Sequence, residues 1–165
     1  MLLEKIVRCI EILKSKKQTV AFVEGGSNGA ICDAFSSFAS AESVLLGGMV
    51  AFKDHMKTYF FGIEEATLER YGSESAYVAS LMAQNLPDYL DADICISITG
   101  ATDVNQNDEQ LNPIFIHIQF SDAQITEEFI VDCNEKSIIE QTLARICKHI
   151  KHKLSRERVN EFEMA

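Results

Sequence analysis

Between Thr19 and Phe38 the hydrophobic pattern of this 165-residue chain changes period abruptly, and few folds accommodate such a change. Thr19 to Val23 is a short apolar, partly β-branched run that reads as a strand and stops at Glu24. Gly25-Gly26-Ser27-Asn28-Gly29 follows as a tight loop, after which Ile31, Ala34, Phe35 and Phe38 return at helical spacing. Strand, loop, helix is the building unit of layered α/β proteins.

The remaining segments fit that architecture. Leu2, Leu3, Ile6, Val7, Ile10 and Leu13 make the apolar stripe of an N-terminal amphipathic helix. Val44 to Phe52 reads as a buried strand whose Gly47-Gly48 pair marks a bulge or the close approach of a ligand or another backbone. A charged helix covers about Asp54 to Phe61. Ser75 is placed to cap a helix through Val78, Ala79, Met82 and Leu86 to about Leu90, with Pro87 kinking or ending its last turn. Ile94 to Thr99 is a further buried strand, and Ala101 to Pro113 is too polar for anything but a long loop. Ile114 to Phe120 and Ile125 to Val131 alternate as an antiparallel hairpin, and Asn134 caps a final helix whose stripe is Ile139, Leu143, Ile146, Ile150 and Leu154. The expectation is one α/β domain over residues 1–154, a layered mixed β-sheet flanked by helices, with a frayed tail from Ser155 to Ala165.

Composition narrows the function. With 47% hydrophobic residues and two prolines, extensive disorder is excluded. The longest apolar run is far shorter than the roughly 18 residues of a membrane span, and no charged start precedes an apolar leader core. The expectation is a cytoplasmic protein with no membrane partner. Cys9, Cys32, Cys95, Cys133 and Cys147 are scattered and unpaired in pattern, so they read as small buried hydrophobes rather than disulfides or zinc ligands. A net charge of −10 without a recognisable basic face argues against nucleic acid. Asp103, Asp108 and Glu109 read as solvated loop acids, so neither metal nor cofactor is expected. His149 and His152, with Lys148, Lys151 and Lys153, read as a solvated positive end of the last helix; His117 is core-facing or exposed.

Several segments in order resemble the C-terminal domain family of the competence/damage-inducible protein CinA, the nicotinamide mononucleotide deamidases. They are the strand ending in Glu24, Leu46-Gly47-Gly48-Met49-Val50-Ala51-Phe52 with Lys57 shortly after, Leu68-Glu69-Arg70-Tyr71-Gly72, the helix at Ser75, and Ala92-Asp93-Ile94-Cys95-Ile96-Ser97-Ile98-Thr99-Gly100. The resemblance implies homo-oligomers, a pyridine nucleotide ligand, and hydrolysis of a carboxamide by a serine directly after the glutamate, with a lysine in the place of Lys57 as its base. A partly desolvated lysine can take the proton of a hydroxyl, which is otherwise a weak nucleophile.

The chain departs from that pattern where the chemistry sits. The family's Glu-Ser-Cys-Thr-Gly-Gly turn is here Glu24-Gly25-Gly26-Ser27-Asn28-Gly29, so no hydroxyl stands at the serine position. Phe52, Lys53 and Asp54 replace a Tyr-Ser-Asn stretch, and Asp132-Cys133-Asn134 replaces Gly-Asp-Arg. Ser27 is then a helix cap or a substitute nucleophile, and Lys57 a base without its partner or an ordinary solvated or salt-bridged surface lysine. Glu24 orients a ligand or pairs with backbone or lysine, while Thr99 and Gly100 stand at a strand end where ligands or turns are found. Glu24, Gly25, Gly26, Gly29, Gly47, Gly48, Phe52, Thr99 and Gly100 are the candidate ligand-binding positions, with Lys57 and Ser27 the candidate catalytic pair. The favoured reading is an inactive relative that serves as a binding or assembly protein for a small-molecule nucleotide. An active amidohydrolase using Ser27 or a water activated by Lys57 is the alternative. A third reading is an oligomer scaffold, with the aromatic run Tyr59, Phe60 and Phe61 either meeting a partner subunit or buried within the monomer.

Overall fold

The computed structural model describes residues 2–100, 113–132 and 137–163. Helix α1 (Leu2–Ser15) leads to strand β1 (Val20–Glu24) and helix α2 (Ala30–Ser36). Strand β2 (Leu45–Val50) is followed by α3 (Asp54–Phe61), α4 (Glu65–Tyr71) and α5 (Ala76–Asn85). Then come β3 (Ile94–Thr99), the hairpin β4 (Ile114–Gln119) and β5 (Gln124–Phe129), and helix α6 (Ile138–Glu163). The five strands form one sheet in the order β2-β1-β3-β4-β5. β1 runs parallel to both β2 and β3, and the β3-β4 and β4-β5 pairs are antiparallel, so the sheet is mixed.

Strand alternation divides the core. Phe22, Ile96 and Ile116 point to one face and pack with Ile6, Ile10 and Leu13 of α1, Phe35 of α2 and Leu143, Ile146 and Ile150 of α6. Ala21, Val23 and Cys95 point to the other, against Phe61, Leu68, Val78 and Met82 of α3 to α5. The chain leaves β1 toward the first face and β2 toward the second. Adjacent parallel strands whose connections diverge open a crevice at their C-terminal ends.

Several expectations are corrected. The strand around Gly47-Gly48 is an edge strand of alternating half-exposed and exposed residues, not a buried one. Its register shifts between Val20 and Ala21, which is the bulge alternative. The two glycines pair with Ala21 and Phe22 in the middle of the strand, away from its ends. A Cβ on Gly48 would lie 2.7 Å from Cys32 Sγ, so close packing of α2 on the edge strand explains that glycine. Helix α6 continues to Glu163 where a frayed tail from Ser155 was expected; the apolar stripe stops at Leu154, but helical backbone does not require one. Ser137 Oγ accepts from the Glu140 amide at the start of α6 (3.2 Å), and Asn134, the expected cap, lies outside the described residues, as do Cys133 and the Asp103, Asp108 and Glu109 loop. Ser75 does cap α5, accepting from Val78 N (3.3 Å), and Pro87 sits in a closing turn Leu86–Asp88. His117 is core-facing, 1% exposed, with Nδ1 bonded to Thr126 Oγ1 (2.7 Å) and Nε2 without a partner among the described residues. Of the aromatic run, Phe61 is buried and Tyr59 is 78% exposed.

Candidate functional site

The alternation that splits the core also splits the turn after β1. Glu24 follows the parity of Phe22 and faces α2, and position 25 follows Val23 and faces α3. Glu24 is fully buried. Its Oε1 accepts from Cys32 N (2.7 Å) and its Oε2 from Ile31 N (3.2 Å) and from the Ser27 hydroxyl. The N-terminus of α2 is therefore capped by a carboxylate arriving from the preceding strand, which satisfies open amides and meets the positive end of the helix. Capping was the structural role expected of Ser27; its hydroxyl instead donates to Glu24, and it is itself 2% exposed. Asn28 (φ 55°) and Gly29 (φ 85°) turn the chain into the helix, and a Cβ on Gly29 would sit 3.2 Å from Val50.

On the other side, Gly25 donates its amide to Ile98 O (2.8 Å) and holds no left-handed backbone. A Cβ there would lie 3.4 Å from Thr99 Cγ2 and 3.5 Å from both Cε and Nζ of Lys57, ordinary contact distances. A side chain at position 25 would thus fit, pointing at the lysine amine. Lys57 is fully buried, contrary to the surface-lysine alternative. Helix α3 directs it inward beneath the β1 and β3 ends, where Nζ donates to Ser73 O (3.0 Å), Ser73 Oγ and Glu74 Oε1 (3.0 Å). Three acceptors match the three donors of an ammonium. Ser73 Oγ in turn donates a hydrogen bond to Asp54 Oδ1, and Glu74 Oε2 accepts from Gly100 N. Glu74 therefore spans two groups, the ammonium and the strand-end amide, that an incoming anion would otherwise find open. Gly100 (φ 111°) is required by the fold, because a Cβ there would lie 2.5 Å from Pro113 O. Thr99 is buried and its hydroxyl donates to Ser75 O at 3.4 Å.

The structure thus brings Gly25, Lys57, Thr99 and Gly100 together and places Glu24 and Ser27 on the opposite side of the same turn. Gly47 and Gly48 lie down the strand, and Phe52 is 53% exposed with the Lys53 ammonium 5.1 Å from its ring centre. Sequence reasoning missed Ser73 and Glu74, the two groups that hold the lysine; the only signal was their place between the helix end at Gly72 and the cap Ser75. Cys32, at the start of α2, is no reactive thiol: burial first, then the Glu24 and Asp33 charges, push it up to about 11. The expectation that the chain lacks a basic face is also corrected. Lys5 and Arg8 of α1 and Arg145, Lys148, Lys151 and His152 of α6 line one groove, an assembly of residues far apart in sequence.

An open mixed sheet carrying a glycine turn, a buried lysine and a conformationally required glycine at the C-terminal ends of its parallel strands defines an α/β protein with a strand-end site. The family model described as CinA C-terminal domain matches residues 3–154, and the chain belongs to that family. A CinA-like protein of Thermotoga neapolitana is 32% identical over 98 residues, 59% of this chain and 24% of that protein. The chain thus spans about a quarter of the length of that curated relative. The competence or damage-inducible protein of Enterobacter asburiae superposes with a TM-score of 0.80 at 18% identity, covering 93% of this chain and 98% of that one. A CinA superfamily protein of Klebsiella pneumoniae does so with a TM-score of 0.82 at 17% identity over 94% and 99% of the two chains. Among the described residues no helix is long and apolar enough to cross a membrane.

Proposed function

We propose that this chain keeps the CinA C-terminal fold without the serine-dependent deamidase chemistry and works as a binding or assembly protein. One observation carries the reading. The carbon that would bear a nucleophilic hydroxyl is absent at Gly25, 3.5 Å from a lysine whose donors are already taken by Ser73 and Glu74. A base needs a free lone pair and a nucleophile within reach, and this arrangement offers neither. Purified protein incubated with nicotinamide mononucleotide is expected to release no ammonia above the uncatalysed background. Release at enzymatic rates that vanishes in Lys57→Ala overturns the reading.

A pyridine nucleotide remains the proposed ligand of the strand-end site, and a homo-oligomer the proposed assembly. A cytoplasmic location is supported by the free thiols Cys9, Cys32, Cys95 and Cys147, which persist in a reducing compartment. The alternative, an active amidohydrolase, draws on the buried contact in which the Ser27 hydroxyl donates to Glu24. Two helix amides already share that carboxylate. Turnover that is abolished by Ser27→Ala or by Lys57→Met would favour it, and full activity in those variants would count against it.

A further inference from the structure

We propose that the groove between α1 and α6 binds a compact polyanion, a small molecule carrying two or more adjacent phosphate groups. Five cationic side chains converge on it: Lys5 and Arg8 from α1, and Arg145, Lys148 and Lys151 from α6, with His152 beside them. Arg8 pairs with Glu4 and Arg145 with Glu127. Lys5, Lys148 and Lys151 are exposed and have no ion-pair partner among the described residues. Lys148 and Lys151 stand one helical turn apart, where like charges repel. A chain of net charge −10 has ample carboxylates to neutralise such a cluster, yet among the described residues none pairs with these three lysines.

The shape suits a small ligand. The groove encloses about 750 Å³, with Ala144 and the buried Cys147 in its lining and Gln141 and Ser155 adding polar groups. Concave walls of low dielectric focus the field of the cations on whatever lies between them. Over the whole chain 25 acids stand against 15 Lys and Arg, so an extended polyanion such as a nucleic-acid strand would gain in the groove and meet a net negative protein beyond it. A ligand whose charge is confined to a few ångströms meets the cations and one lining carboxylate, Glu4, which Arg8 already pairs at 2.7 Å.

The test uses the whole chain and sodium tripolyphosphate in calorimetric titration at low ionic strength, with thermal melting alongside. Saturable binding is expected, with a melting temperature that rises with tripolyphosphate concentration and an affinity that falls as salt is added. Lys148→Glu with Lys151→Glu is expected to weaken binding about a hundredfold, since each reversal replaces an attraction by a repulsion beside the anion. Lys14→Glu with Lys16→Glu changes the net charge equally but lies outside the groove, and is expected to leave affinity within about twofold. Equal affinity for adenosine triphosphate assigns the site to the phosphates alone, and tighter binding of the nucleotide assigns it to a nucleoside polyphosphate. No binding of tripolyphosphate, equal loss in both double variants, or tighter binding of a short oligonucleotide overturns the proposal.

Discussion

Replacing Gly25 by alanine is expected to stabilise the protein. The backbone there is not left-handed, and the added methyl would meet Thr99 Cγ2 at 3.4 Å and the Lys57 side chain at 3.5 Å, contact without overlap. A glycine in a conformation open to any residue spends entropy on folding that alanine does not, a difference of about 0.4–1 kcal/mol. For a domain of this size that is a rise of roughly 1–4 °C in Tm. Gly100→Ala gives the opposite sign: φ is 111°, and its methyl would lie 2.5 Å from Pro113 O and 2.9 Å from Ile114 Cα, so a loss exceeding about 1 kcal/mol is expected. Urea unfolding of both variants beside the parent measures the two differences. A Gly25→Ala protein destabilised by about 1 kcal/mol or more would refute the claim that position 25 has room for a side chain, and with it the view that the missing hydroxyl is a chemical loss and not a steric demand.

Two further outcomes follow from the buried groups. Glu74→Ala leaves the fully buried Lys57 ammonium with Ser73 alone and no counter-charge, and is expected to cost about 2–3 kcal/mol; Lys57→Met removes the buried charge while Glu74, whose side chain is 39% exposed, turns to water, and is expected to stay within about 1 kcal/mol of the parent. Equal losses in urea unfolding would refute that asymmetry. Burial holds the His117 imidazole below its usual 6.5. Below about pH 6.5 the unfolded chain therefore takes up a proton that the folded one refuses, and stability falls as pH falls. The drop in Tm between pH 7.5 and 5.5 is expected to be smaller in His117→Gln, and an unchanged drop would count against this origin.

Most of the elements were legible because each carries a local signal; the seven-residue helix α4 (Glu65–Tyr71) was not read as one. The 3.6-residue stripe of α1, the apolar run of β3, the alternation in β4 and β5, and Ser75 before α5 all depend on neighbours in the chain. Order in the sheet does not, and neither does the half-exposed edge position of β2, which follows from its pairing with β1 alone. The resemblance to CinA C-terminal domains located Glu24, Gly25, Lys57, Thr99 and Gly100 in the sequence, but their division between two sides of the turn is a consequence of strand parity in a packed sheet.

What the sequence determined by itself was therefore the class of fold, the family, and the absence of a hydroxyl at position 25. Tertiary structure decided what surrounds that absence. Folding α3 against the β1 and β3 ends buries Lys57 and delivers it to Ser73 and Glu74, residues on a separate turn; on the opposite face, packing of α1 against α6 gathers scattered lysines into one groove. Periodicity reports which face of an element is apolar, whereas the partners of a buried charge are chosen by segments distant along the chain, and no local pattern encodes that choice.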